Sequence, residues 1–131
     1  MVVSLSITGL YASLLGLLFV GLAINIIRLR LQFKIGIGDG GNEALGKAIR
    51  VHGNFAEYIP ITLIMLAAYE INGASPMWLH GLAALLFIGR VLHAIGLSKT
   101  TGTSKQRQIG TLSVFLVIII LAVENIRFFI G

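Results

Sequence analysis

Three polar side chains at regular spacing interrupt a long apolar segment near the middle of this chain. Arg50, Asn54 and Glu57 are four and three positions apart, so they share one face if the segment is helical. A guanidinium, a carboxamide and a carboxylate suit a zwitterionic ligand, because they can bind a carboxylate, a peptide group and an amine respectively. The same residues could instead form an internal Arg–Glu network that holds helices together.

The composition indicates that this polar face belongs to a membrane protein. Of the 131 residues, 56% are hydrophobic and 11% are charged, whereas soluble domains carry roughly 25% charged residues. The mean hydropathy is +0.95, and the apolar residues fall in long runs, as in transmembrane helices. Ionisable groups are costly at membrane depth and usually face a protein interior or a wet cavity. The stripe therefore predicts a polar site.

We predict a single all-α domain over residues 1–131, an integral membrane four-helix bundle. Helices are expected over about residues 5–28, 43–71, 76–97 and 106–129, each long enough to cross a hydrocarbon core about 30 Å thick. Ser75 and Pro76 favour the start of the third helix. The first segment lacks a basic region before its apolar run, so we expect a retained helix rather than a signal peptide.

Basic residues are concentrated at one end of the predicted bundle, at or near the first and third loops. These residues are Arg28, Arg30, Lys34, Lys47, Arg50, Arg90, Lys99, Lys105 and Arg107. Only Arg127 lies toward the other end, so the distribution of basic residues predicts that both loops are cytoplasmic. The net charge of +5 is accordingly attributed to topology and anionic lipid headgroups rather than to nucleic acid.

Other features of the sequence indicate structure rather than chemistry. The chain has no cysteine, and its three histidines are scattered over separate segments, so no metal site is predicted. The glycine-rich segment 38–41 lacks the lysine of a phosphate-binding loop and is interpreted as a turn. Glu124 and Arg127 are expected to form an interfacial salt bridge. Small residues would allow close helix contacts and make a homo-oligomer plausible: Gly9, Gly16, Gly21, Gly81, Gly89 and Gly96.

The segment 48–60 resembles the second-helix motif of the MAPEG family, the membrane-associated proteins in eicosanoid and glutathione metabolism. The motif reads roughly Arg-x-x-x-Asn-x-x-Glu-Tyr-x-Pro and is matched here by Arg50, Asn54, Glu57, Tyr58 and Pro60. The glycine-rich first loop is similar to that of bacterial members related to the microsomal glutathione transferases. The resemblance covers essentially the whole chain. It implies a homotrimer in the bacterial inner membrane that binds glutathione at subunit interfaces near the cytoplasmic side.

The resemblance also implies roles for individual residues. Arg50, Asn54, Glu57 and Tyr58 would contact glutathione, as would His52. Arg28 or Arg30 matches a basic position that faces the ligand in relatives, and Arg90 and His93 belong to the third-helix segment that lines the site. From the residues alone, Arg90 is instead expected to extend toward the membrane interface, and His93 to be a hydrogen-bonded histidine. Arg107 matches the arginine that activates the glutathione thiol by favouring its thiolate.

Three functions are consistent with these features. The resemblance implies a glutathione-dependent membrane enzyme that conjugates glutathione to lipophilic electrophiles or reduces lipid hydroperoxides. His93 and Leu97 stand where active relatives carry tyrosines, which favours the alternative of a glutathione- or lipid-binding protein without catalysis. The third alternative is a small four-helix transporter, for which Glu57 is the one acidic residue well inside a predicted span.

Overall fold

The computed structural model describes residues 3–99 and 105–131, which form four α-helices. α1 spans Ser6–Phe33, α2 spans Glu43–Ile71, α3 spans Pro76–Lys99 and α4 spans Lys105–Ile130. The described residues contain no strand. The all-α prediction is therefore confirmed. The third loop, predicted between residues 97 and 106, falls largely on residues 100–104, outside the described residues.

The two inner helices of the bundle are α2 and α3. Within the described residues each of them contacts both α1 and α4, whereas α1 and α4 do not pack against each other. The core combines apolar side chains from all four helices, among them Leu15, Phe55, Leu86 and Val117. Many large apolar side chains of α1 and α4 are exposed, as expected for helices that face lipid or other membrane helices.

Three of the described helices are long and apolar enough to cross a membrane, namely Ser6–Phe33, Pro76–Gly96 and Lys105–Ile130. A bundle with such helices is typical of an integral membrane protein. α2 has 29 residues, but Lys47, Arg50 and Glu57 reduce its hydropathy. Its length and its contacts with all three apolar helices support a fourth span, which remains a prediction.

The first helix is longer than predicted. It ends at Phe33 rather than near residue 28, and Lys34 terminates it in the left-handed conformation, with φ 55° and ψ 44°. The prediction was wrong because it took Arg28 as the end of the apolar run. Residues 29–33 contain neither glycine nor proline, so nothing in the backbone interrupts the helix.

α3 and α4 approach each other closely at Gly89 and Gly110. A Cβ built on Gly110 would lie 2.5 Å from the carbonyl oxygen of Gly89 and 2.7 Å from Cβ of His93. The close contact predicted for Gly89 is therefore confirmed. A Cβ on Gly9, Gly16, Gly21 or Gly81 would meet nothing within 4 Å, so these glycines do not serve helix contacts among the described residues.

We expect Gly110→Ala to destabilise the bundle, because the new methyl group would clash with backbone atoms of α3. Overpacking of this kind costs about 1–3 kcal/mol. Gly81→Ala is the matched control, since its methyl group has free space and alanine is favoured over glycine in a helix by about 1 kcal/mol. Thermal unfolding in detergent, followed by circular dichroism, should give a lower Tm for Gly110→Ala alone. Equal Tm values for the two variants would contradict the close contact.

Candidate functional site

A polar cleft of about 360 Å³ lies at the end of the bundle where the first loop, the start of α2, the end of α3 and the start of α4 meet. Its lining residues are Asp39, Gly41, Asn42, Glu43, Gly46, Lys47, Arg50, Asn54, His93 and Arg107. Three of these side chains are cationic and two are acidic. The volume is within the range of about 300–1,000 Å³ that is usual for small-molecule sites.

The predicted polar face of α2 forms one wall of this cleft. Arg50 and Asn54 line it, whereas Glu57 is not among its lining residues. Nη1 of Arg50 lies 3.6 Å from Oε1 of Glu57, and the two side chains are 61% and 55% exposed. Because both partners belong to α2, this ion pair does not tie two helices together. Exposed ion pairs contribute little to stability, so the Arg50 guanidinium can exchange its partner for a ligand carboxylate at small cost.

A buried arginine supports the back of the cleft. Arg90 is 2% exposed, and its Nη2 donates a hydrogen bond to Oδ1 of Asn54 at 2.6 Å. The same Nη2 lies 3.2 Å from Nδ1 of His93. Because a guanidinium can only donate, Nδ1 accepts and a neutral His93 carries its proton on Nε2. His93 is thereby a second N–H donor beside the amide of Asn54, and both residues line the cleft.

The expectation that Arg90 extends toward the membrane interface is wrong, because its side chain is enclosed by the bundle. The hydrogen-bonded state expected for His93 is confirmed. Nε and Nη1 of Arg90 are buried and have no hydrogen-bond partner within the described residues. The side chain therefore joins α3 to α2 through a single nitrogen, and its contact with Asn54 must be retained for the cleft to keep its shape.

We expect Arg90→Ala to destabilise the protein far more than Arg50→Ala does. The first change removes a buried side chain and leaves the acceptor of Asn54 unsatisfied, which costs about 1–3 kcal/mol. The second change removes an exposed pair worth less than about 1 kcal/mol. Unfolding of both variants by titration with a denaturing detergent provides the comparison. Equal stability of the two would show that the Arg90 network does not hold α2 against α3.

Three predicted binding residues, two on α1 and one on α2, do not line the polar cleft. Nη2 of Arg28 donates to Oδ1 of Asn25 at 2.9 Å, and Arg28 lines a separate cleft of about 450 Å³ between α1 and α2. Nη1 of Arg30 donates to the carbonyl oxygens of Ile35 and Gly38 at 3.2 and 2.9 Å, which orders the first loop. The ring of His52 stacks on Phe19 with centroids 4.6 Å apart.

The two clefts are neighbours, because Glu43 and Lys47 line both of them. These residues also form an ion pair, with 3.4 Å between Nζ of Lys47 and Oε1 of Glu43. The remaining predicted residue, Tyr58, packs its ring edge-on against Phe115 of α4, with centroids 5.6 Å apart. The structure thus brings Arg50, Asn54, His93 and Arg107 together in one cleft. Leu97, which the resemblance singled out together with His93, has a side chain outside those described.

The first loop contributes wall residues that were not predicted. Asp39 accepts a hydrogen bond from the backbone N–H of Gly41 at 2.9 Å. Oδ2 of Asp39 would lie 3.2 Å from a Cβ atom built on Gly46. The loop therefore folds onto the first turn of α2, where Asn42 caps the helix by accepting from the N–H of Leu45. Extending the helical spacing backward from Arg50 reaches Gly46 and Lys47, but Asp39 precedes the start of α2 at Glu43, so helical spacing does not predict its position.

No group of three histidine or acidic side chains suited to a metal ion occurs in residues 3–99 and 105–131. The side chains that line the cleft offer cations, neutral hydrogen-bond donors and two carboxylates. Lys47, Arg50 and Arg107 can bind anionic groups, while Asn54 and His93 can donate hydrogen bonds to carbonyl oxygens. Asp39 and Glu43 can accept from an ammonium group. The cleft is complementary to a small ligand that carries both signs of charge with an excess of negative charge.

Comparison with known proteins agrees with this architecture. The model of the MAPEG family matches residues 8–127 of the chain. An inner membrane protein of Escherichia coli strain K12, YecN, is 40% identical over 90 residues, which cover 69% of each of the two proteins. YecN of E. coli O6:H1 strain CFT073 has the same identity and coverage.

Proposed function

This chain belongs to the MAPEG family, and on that premise we propose that it is a glutathione-dependent membrane enzyme. Its reaction would be the conjugation of glutathione to lipophilic electrophiles or the reduction of lipid hydroperoxides. The supporting observation is that Arg50, Asn54, His93 and Arg107 line one cleft. Four side chains from three different helices supply the cations and donors that a small anionic peptide requires.

Glutathione carries two carboxylates, one ammonium group, two peptide units and a thiol. Lys47 and Arg50 would bind its carboxylates, and Asp39 or Glu43 its ammonium group. Asn54 and His93 would donate to peptide carbonyl oxygens. Arg107, at the start of α4, would face the sulfur and stabilise the thiolate, which is the nucleophile. As a permanent cation it would act by charge and would not accept the proton.

The location and assembly follow from the same proposal. We expect the protein in a bacterial inner membrane, with the first and third loops, and hence the cleft, on the cytoplasmic side. Lipophilic substrates would reach the thiolate from the bilayer. A homotrimer would account for Arg28, Arg30 and His52, because residues on the α1 side can contact the ligand of an adjacent subunit although they do not line the cleft of their own.

Glutathione binding should depend on the exposed pair of α2. Arg50→Ala removes a carboxylate partner, and Glu57→Gln removes the charge that orients Arg50, so we expect roughly tenfold and threefold weaker binding. The measurement is calorimetric titration of glutathione into the detergent-purified protein. Arg127→Ala is the control, because it also breaks an exposed Arg–Glu pair, at the other end of the bundle. Unchanged affinity in both α2 variants would contradict the assigned site.

Turnover should depend on Arg107 more than binding does. Arg107→Ala removes the positive charge proposed to face the sulfur, so we expect at least about tenfold lower kcat with a model electrophile, and little change in KM for glutathione. Arg107→Lys keeps the charge and should recover part of the rate. A fully active Arg107→Ala enzyme would remove this residue from the mechanism.

A second function is favoured by His93, which lines the cleft where active relatives carry a tyrosine. The protein would then bind glutathione or a lipid without catalysis. Saturable glutathione binding with no turnover across a panel of electrophiles and lipid hydroperoxides would support this function over the enzymatic one.

A further inference from the structure

A second polar cavity lies at the opposite end of the bundle, between α2, the start of α3 and the end of α4. Its volume is about 260 Å³, and its lining includes Tyr69, Ser75, Trp78, Glu124, Arg127 and Phe128. The cavity therefore combines three aromatic rings with one carboxylate and one guanidinium. None of these side chains takes part in the proposed glutathione chemistry.

The two charged groups of this far-end cavity are held side by side. Glu124 accepts hydrogen bonds from the Tyr69 hydroxyl at 3.3 Å and from Nε of Arg127 at 3.2 Å, and a further one from Nη2 of Arg127. All three bonds end on Oε2. Within the described residues, Oε1 of Glu124 and Nη1 of Arg127 have no hydrogen-bond partner. The salt bridge predicted from the sequence is confirmed, and it leaves one free acceptor beside one free donor.

This arrangement is complementary to a short zwitterion. The free carboxylate oxygen can accept from a primary ammonium, and the free guanidinium nitrogen can donate to a phosphate. Aromatic rings add attraction for the ammonium through their faces. The ring of Phe128 lies 5.5 Å from Cζ of Arg127, and the ring centroids of Tyr69 and Phe128 are 5.8 Å apart. Tyr69 therefore fixes the carboxylate, while Phe128 supports the guanidinium.

An apolar cleft on the surface of α4 adjoins this cavity at Arg127. It has a volume of about 440 Å³ and is lined by Val123, Ile126, Arg127, Ile130 and Gly131, so the two spaces share Arg127. Trp78 also lines the polar cavity and is 58% exposed. Tryptophan and other aromatic residues at helix ends are typical of the membrane–water interface. A charged cavity joined to an apolar cleft at this depth fits a headgroup joined to an acyl chain.

We propose that the far-end cavity binds a zwitterionic phospholipid whose headgroup ends in a primary ammonium, that is, a phosphatidylethanolamine. The ammonium donates to Oε1 of Glu124, the phosphate accepts from Nη1 of Arg127, and one acyl chain follows Val123 and Ile126. The proposal concerns the end of the bundle away from the glutathione cleft, and it holds whether or not the protein binds glutathione.

The fluorescence of Trp78 tests this proposal directly, because it is the single tryptophan of the chain and lines the cavity. The full-length protein is reconstituted in phosphatidylcholine vesicles that contain a small fraction of lipid with brominated acyl chains. We expect brominated phosphatidylethanolamine to quench Trp78 about three- to fivefold more effectively than brominated phosphatidylcholine or phosphatidylglycerol, as expected for a partly exposed ion pair. Equal quenching by phosphatidylethanolamine and phosphatidylcholine, or stronger quenching by phosphatidylglycerol, would overturn the proposal.

Two variants test whether Glu124 and Arg127 cause the preference for phosphatidylethanolamine. Glu124→Gln and Arg127→Gln should each reduce the preference for phosphatidylethanolamine to no more than about twofold. Glu43→Gln, a carboxylate change at the other end of the bundle, should retain the full preference. Retention of the preference in both far-end variants would overturn the assignment. The comparison of lipids in the unaltered protein remains decisive if either variant fails to fold.

Discussion

Burial of the Arg90 guanidinium inside an apolar bundle is the constraint on which the cleft depends. A charged group at this depth is costly unless it is hydrogen-bonded, and Arg90 obtains its bonds from Asn54 of α2 and His93 of α3. Nη2 of Arg90 therefore fixes the positions of Asn54 and His93, two hydrogen-bond donors of the cleft. The close contact of Gly89 with Gly110 brings the start of α4, and with it Arg107, to the same place.

The helix pattern was predictable because the membrane environment limits which secondary structures can span it. Apolar runs of about 20 residues favour helices when no water is available to the backbone, and the described residues form the four helices that were expected. The end of α1 was missed because a change from apolar to basic residues does not interrupt a backbone. Nothing between Arg28 and Phe33 breaks a helix, and only the left-handed Lys34 does so.

The cleft was predictable only in part, because helical spacing reports which residues share a face but not what covers that face. The spacing of Arg50 and Asn54 placed them together, and they line one cleft. Arg90 was misjudged, since the sequence does not reveal which face of α3 meets α2. Asp39 was missed because its position depends on the glycines at 38, 40 and 41, which adopt positive φ values that fold the loop over α2.

The two ends of the bundle share a design in which an Arg–Glu pair, at least partly exposed, borders a cavity. At one end the pair joins Arg50 to Glu57, and at the other it joins Arg127 to Glu124. Such pairs contribute little stability but present both signs of charge at a small distance. Each end is thus suited to a zwitterion: a soluble peptide is proposed at the first and a lipid headgroup at the second.

The proposed function requires that the polar cleft holds glutathione with its sulfur ionised. Ultraviolet difference spectroscopy measures this directly, because a thiolate absorbs where a thiol does not. We predict that glutathione mixed with the purified protein at neutral pH gives a saturable thiolate signal, and that S-methyl glutathione, which cannot ionise, gives none. If saturating glutathione produces no thiolate signal, the cleft does not activate the thiol, and the proposed enzymatic function is contradicted.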